Sequence, residues 1–487
     1  MRFIRKSLIL IHRYLGIVLC VPFFVWFVSG IAMIYVREMP ALTPETRLEY
    51  LPALDPARIR LSPAEAIIKA ELAGPPERAL LLTILGRPAY RFSSGGPVTV
   101  FADTGELLDV TAERAAEAAR LFTNRPAGEL HAKEVLGSAD QWTIAQSGLM
   151  PLHKFALDDA AHSELYVSGQ TGEVALLTTR ATRALAWISA IPHWFYFQAL
   201  RNNRQLWRQI VLWISGLGIV SALIGLVLGV IQYRHRPPHI PYSGWLRWHY
   251  ITGIVFGVFT LTWVFSGFLS MEPWYWASDG GLGAGMEEAL AGGPLDLAAF
   301  PAALPIPGTA PARVKEVEFL NIQGDPYYRV QTEAPALTLI SASSLQVRTE
   351  PFTTDTLMQR LTEPNPNVKV LESTLLREYD SYYYSFYRHR TPPLPVLRVK
   401  FDDPDSTWLY VDPRMSEIVG RAHRRERIQR WIYHGLHSLD FSFWYYNRPL
   451  WDIGVIGLSL GGIALSLIGV VISWKRVARF VVRKTAR

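Results

Sequence analysis

The sequence predicts a membrane protein with four transmembrane α-helices, derived from a duplicated two-helix unit, and α+β domains outside the bilayer. Three observations predict it: four long apolar runs almost without charge, basic clusters beside them, and landmark residues that recur at constant offsets. A content of 49% hydrophobic residues with 16 tryptophans and a mean hydropathy of +0.13 suits a chain of this kind.

The runs near 9–36, 209–233, 249–271 and 452–474 are each long enough to cross about 30 Å of hydrocarbon at about 1.5 Å per residue. Excess Lys and Arg marks the cytoplasmic side. The N-terminal MRFIRK, the connection YRHRPPHIPYSGWLR at 233–247 and the tail WKRVARFVVRKTAR all carry that excess, so both termini are expected in the cytoplasm. Because the formal charge of +7 is concentrated beside the runs, it points to a lipid bilayer and not to nucleic acid. The first run starts like a signal peptide but is too long for one, and reads as an uncleaved anchor. The expected division is membrane helices at 1–36, 206–233, 248–271 and 451–474, a cytoplasmic loop at 234–247, a tail at 475–487, and outer domains at 37–205 and 272–450.

Each outer segment holds helix patterns, such as SPAEAIIKAEL at 62–72 with its Ser cap, and strand–turn–strand patterns. YRFSSGGPVTVFADTGELL, ELYVSGQTGEV, YYRVQTEAPALTLISASSLQV and TWLYVDPRMSEIV are short strands bounded by Gly, Asp and Pro, as in small α+β modules. The stretch 277–312 is rich in Ala, Gly and Pro and reads as a linker. Its glycines make no GxGxxG, so it carries no nucleotide-binding role.

His12, Gly16, Trp26, Ser29 and Gly30 in the first run match His249, Gly253, Trp263, Ser266 and Gly267 in the third at one offset. At a second constant offset Asp158-Asp159 matches Asp402-Asp403, Leu165-Tyr166-Val167 matches Leu409-Tyr410-Val411, and Trp187 matches Trp431. His193 with His437, Asn203-Arg204 with Asn447-Arg448, and Trp207 with Trp451 continue that register. Of 12 histidines, only His12 with His249 and His193 with His437 obey the repeat.

A parallel two-fold repeat brings each pair to one depth on facing helices. His12 and His249 fall at the cytoplasmic side, His193 and His437 at the outer side, as two metal centres with one imidazole from each half require. His434 stands where the first half has Ala190; it lies three residues before His437 and competes for the outer ligand role or for substrate metal. His131, His153, His162, His389 and His423 have no counterparts and read as solvated.

Gly16 lies one helical turn above His12, and Gly30 returns to the same face about 27 Å higher. Gly253 and Gly267 repeat both spacings beside His249. Such glycines leave room for a flat macrocycle, whereas the glycines of spans two and four, including GxxxG at 225–229 and 457–461, also fit helix packing. Arg13 and Arg247 flank the inner pair, and Arg204 and Arg448 recur near the outer one. Guanidinium groups suit haem propionates, although positive-inside bias explains Arg13 and Arg247 equally well. Trp26 and Trp263 fit a place between two macrocycles or an ordinary core role.

The only cysteine, Cys20, excludes an internal disulfide, CxxCH haem attachment and a cysteine-ligated iron–sulfur cluster. Ionisable groups in membrane helices are costly and usually functional. Imidazole ligates haem iron without help from thiolate, and bis-imidazole haem suits electron transfer.

HRYLGI with its downstream VSG, PLHKFALDD…ELYVSGQTGEV, IPHWFYF, LPVLRVKFDDPDSTWLYVD and RWIYHGLHSLDF…NRPLWD carry a resemblance across both halves. They resemble the PepSY-associated transmembrane proteins, a bacterial family that includes iron-regulated inner-membrane reductases of ferric siderophores. The resemblance implies PepSY-like periplasmic domains and two b-type haems held by His12, His249, His193 and His437. Some relatives carry a fused flavin or nicotinamide reductase domain; without one here, a separate electron donor is expected, either a quinol or a cytoplasmic reductase.

The expected activity is electron transfer across the inner membrane to a periplasmic acceptor, a ferric siderophore whose iron leaves as Fe(II) or another oxidant. EYDSYYYSFYRHR at 378–390, with Arg388 and Arg390, reads either as the acceptor surface or as a Tyr-rich core. The principal rival is a non-enzymatic PepSY regulator or sensor, which needs no haem. Metal transport through His434 and His437 would need acidic or Met-rich spans, and the HExxH protease motif is absent.

Overall fold

A computed structural model describes residues 2–36, 38–72, 74–274, 282, 284–301, 313–333, 337–385 and 391–485. The chain forms two compact units, one of Met1–Met39, Thr182–Ala277 and Arg425–Arg487, the other of Pro40–Ala181 and Ser278–Arg424.

Four helices dominate the first unit: α1 (Arg2–Met33), α2 (Arg204–Gln232), α3 (Gly244–Leu269) and α4 (Leu450–Thr485). All four are long and apolar enough to cross a membrane. Val18, Val21, Trp213, Val230, Val255 and Leu460 are exposed on them, as lipid-facing side chains are. At the start of α2 the Asn203 side chain accepts from the Leu206 N–H at 3.0 Å, satisfying one orphan donor. α4 does not stop at 474. Charge begins there, but Lys475, Arg476 and Arg479 are good helix formers, and the helix continues through them.

α1 packs against α2 and α4, and α3 packs against the same two helices, so α1 and α3 face each other across the bundle. Glycines permit this closeness. A Cβ on Gly218 of α2 would stand 2.8 Å from Phe23 of α1 and 2.9 Å from Val264 of α3. One on Gly462 of α4 would meet Phe27 at 2.5 Å. Short helices join these spans, among them Ala190–Trp194, and a π-helical turn at Arg430–Gly435 precedes His437.

The second unit is built on antiparallel sheets. Two are four-stranded meanders: Leu130–Leu136, Leu152–Leu157, Glu164–Ser168 and Val174–Thr178, and Val370–Leu376, Val396–Phe401, Trp408–Asp412 and Glu417–Ala422. The third has seven strands, with Arg78–Ile84, Arg87–Ser93 and Pro97–Phe101 on one side and Val314–Ile322, Asp325–Thr332, Leu337–Ser341 and Val347–Arg348 on the other. The two outer segments are therefore not separate domains, as their separation in the chain suggests. Arg78–Ile84 pairs with Val314–Ile322, with Ala79 opposite Phe319 and Leu81 opposite Val317. The strand RALLLTI is buried on both faces and would otherwise expose an unpaired edge, which the second segment covers.

Ser62 and Glu65 form a reciprocal capping box on the helix Pro63–Lys69. Gly95, at φ +71°, supplies the left-handed residue in the hairpin joining Arg87–Ser93 to Pro97–Phe101. Part of the expected linker is ordered core: Met286 and Leu290, on the helix Ala284–Ala291, and Leu297 and Phe300 are buried. Met, Glu, Ala and Leu favour that helix, and apolar residues at i and i+4 give it a face to bury. Residues 275–281, 283 and 302–312 of this region, and 386–390 with Arg388, His389 and Arg390, lie outside the described residues.

Candidate functional site

His12 of α1 and His249 of α3 sit on opposed helices with ring centroids 6.2 Å apart. His193, on the short helix before α2, and His437, after the π-helical turn, have centroids 6.0 Å apart. Two imidazoles bonded to one metal atom stand at most roughly 6.4 Å apart, from two bonds of about 2.0 Å and about 1.2 Å from each nitrogen to its ring centre. Both separations lie within that limit.

The supports of the two pairs differ. His12 Nδ1 lies 2.9 Å from the Ser221 carbonyl of α2. A carbonyl only accepts, so Nδ1 carries the proton and Nε2 keeps the lone pair. Gly225, one turn beyond Ser221, makes this approach possible: a Cβ there would stand 2.8 Å from His12 Cε1. That glycine accommodates a histidine and not a packing helix. His249 Nδ1 is buried without a well-formed hydrogen bond.

In the second pair both rings meet hydroxyls: Ser29 Oγ lies 3.1 Å from His193 Nδ1, and Ser266 Oγ lies 3.0 Å from His437 Nδ1. Burial drives the pKa of both histidines down, which keeps them as neutral imidazoles. A Cβ on Gly30 would lie 3.5 Å from His193, and one on Gly267 would lie 3.9 Å from His437. Close packing with the ring, more than empty space, is the part these two glycines play.

Around His12 and His249 lies a cavity of about 360 Å³, lined by Arg13, Gly16, Gly253, Tyr242 and Arg476 among others. That volume falls in the range of cofactor sites, roughly 300–1,000 Å³. Nothing stands within 4 Å of a Cβ built on Gly16, and only Leu465, at 3.8 Å, approaches one on Gly253. Phe23 lines the same cavity; it stacks on Trp26 at 5.9 Å, and Trp26 meets Phe195 edge-on at 5.4 Å. Trp263 packs on Phe27 at 5.5 Å.

The chain matches the model of the family described as PepSY-associated TM region over residues 9–336. It belongs to that family. No curated protein matches the chain. The family match takes in His12, His193 and His249 of this PepSY-associated chain and ends before His437 and α4.

Other expected site residues are placed differently. Arg13 lines the cavity, but Arg247 is exposed near the start of α3, and Arg204 is exposed at the start of α2. Arg448 is ion-paired with Asp452 and lies over Trp451 at 4.4 Å, so its charge is already matched. His434 packs on Tyr433, with centroids 4.5 Å apart, and it is His437 that faces His193. His153 and His423 are buried and not solvated; His423 Nδ1 lies 3.1 Å from Thr407 Oγ1. His131 Nε2 meets Asp158 at 2.7 Å.

Ser221 and Arg476 are site residues of this PepSY-associated chain that sequence reasoning does not single out. The first acts through its backbone, which no side-chain pattern reveals. Arg476 reads as one more positive-inside residue until α4 is seen to continue past 474. Ser29 and Ser266 recur beside the glycines of the repeat, a signal that was available.

Proposed function

We propose that this chain is a duplicated, di-haem electron-transfer protein of the bacterial inner membrane. It carries electrons from the cytoplasmic side to a periplasmic acceptor. The single observation that carries the reading is the pairing of His12 with His249 and of His193 with His437, each at a metal-bridging separation.

The donor sets fit haem. Among the described residues no group of three or more His, Cys, Asp or Glu could hold a metal ion. Two imidazoles suffice where the cofactor supplies the other ligands, as a porphyrin does. His12 and His249 would hold one b-type haem, and His193 and His437 the other. Gly16 and Gly253 would leave room for the first, and Arg13 and Arg476 would meet its propionates. When bound, haem supplies one-electron chemistry at each end of the bundle.

The protein's own part is to orient and insulate. The Ser221 carbonyl holds His12 in the tautomer with a free Nε2. Phe23, Trp26, Phe27 and Trp263 fill the interval between the pairs and exclude water. That interval is about 27 Å, the rise of α1 from His12 to Gly30. Duplication is supported by the two four-stranded meanders and by the matching Ser29–His193 and Ser266–His437 contacts.

Electrons would come from a separate donor, a quinol or a cytoplasmic reductase, with both termini on that side. The acceptor would be a ferric siderophore or another periplasmic oxidant, and siderophore iron would leave as Fe(II). Purified protein, reduced with dithionite and freed of excess, should show a b-type α-band that a ferric hydroxamate abolishes, with Fe(II) trapped by a ferrous chelator. An α-band that persists after mixing rules out that acceptor.

A further inference from the structure

The histidines facing each other beside the last turns of α1 and α3 need a defined tautomer, because only a nitrogen with a free lone pair binds a metal. We infer that Ser29 and Ser266 are the positioning residues that set it for His193 and His437. This inference rests on the di-haem reading.

Each hydroxyl has one proton, and the helix claims it. Ser29 Oγ donates to the Val25 carbonyl at 2.7 Å, with the Trp26 carbonyl at 3.2 Å. Ser266 Oγ donates to the Trp263 carbonyl at 2.9 Å. Helical serines commonly back-bond in this way. With its proton committed, each oxygen can only accept, so the ring nitrogen opposite must be Nδ1–H.

Both serines are buried, 1% and 0% exposed, so water does not compete for these bonds. A Cβ on Gly30 or Gly267, which follow them, would touch the imidazole at ordinary van der Waals distance, 3.5 and 3.9 Å, so the rings pack against this stretch of helix. The orienting part thus belongs to the hydroxyl. Partners of this type ordinarily change ligand affinity 10–100-fold when removed.

The test uses full-length protein with Ser29→Ala, Ser266→Ala, the double alanine variant, and Ser29→Thr with Ser266→Thr. Haem is counted per chain, and each low-spin centre is followed by electron paramagnetic resonance and redox titration. The centre assigned to His12 and His249 serves as the internal control for folding. Alanine variants should bind haem at the other centre 10–100-fold more weakly, with shifted g-values and midpoint potential. Threonine, which keeps the hydroxyl, should restore all three. Two haems in the parent with unchanged g-values, potential and occupancy in the double alanine variant would overturn the inference and leave the di-haem reading standing. A parent without haem would overturn both.

Discussion

At one end of the bundle His12 is braced by a main-chain carbonyl of α2, its partner His249 Nδ1 lacks a well-formed hydrogen bond, and a cavity opens beside them. At the other end His193 and His437 are braced alike, each by the hydroxyl of a serine one residue before a glycine. The imidazole separations are nearly the same, 6.2 and 6.0 Å. On the di-haem reading, the difference teaches that a main-chain carbonyl and a serine hydroxyl are two ways to orient an imidazole toward a metal. The backbone version leaves space around it, and the side-chain version holds its glycines against the rings.

Filling the space should break the comparison most sharply. Gly16→Leu faces an open position, so the chain should fold while losing the whole haem at the His12–His249 pair. A haem count with the variant's optical spectrum checks this. If both haems remain, Gly16 is not where the macrocycle lies.

The second largest effect concerns the segment that carries His437. Arg430 and Asp440 form a buried ion pair at 2.9 Å on either side of it. Asp440→Ala removes the carboxylate that pairs with the buried Arg430 guanidinium, a loss of about 3–5 kcal/mol. Thermal unfolding in detergent should fall accordingly, with the His193–His437 centre lost first and the His12–His249 centre retained longer. Equal loss at both ends would remove the distinction between them.

The smallest effect sharpens the ligand assignment. Because His434 packs on Tyr433 while His437 faces His193, His434→Ala should leave both low-spin signals in place, and His437→Ala should remove one. Loss of a low-spin signal in the His434 variant would exchange the two roles.

Much of the membrane unit was legible because an imidazole in an apolar run is conspicuous, and because recurrence singled out four histidines from 12. The spacing of Gly16 from His12 was readable from helix geometry alone. What escaped the sequence is non-local. Nothing within RALLLTI names Val314–Ile322 as its partner, since strand pairing is decided by which edge is left uncovered. The Arg448–Asp452 pair was within reach at i and i+4, yet the recurrence of Arg448 drew attention to cofactor binding instead. Ser221 was invisible because its contribution is a carbonyl, and Gly225 was legible as a small residue of GxxxG but not as the neighbour of a ring from another helix.

The most direct test is a pyridine haemochrome count on the detergent-purified chain and on its His12→Ala, His249→Ala, His193→Ala and His437→Ala variants. Two b-type haems per parent chain are expected, and one in each variant, with the first two variants sharing one residual spectrum and the last two sharing the other. A folded, haem-free parent, or four variants that each keep both haems, would contradict the account.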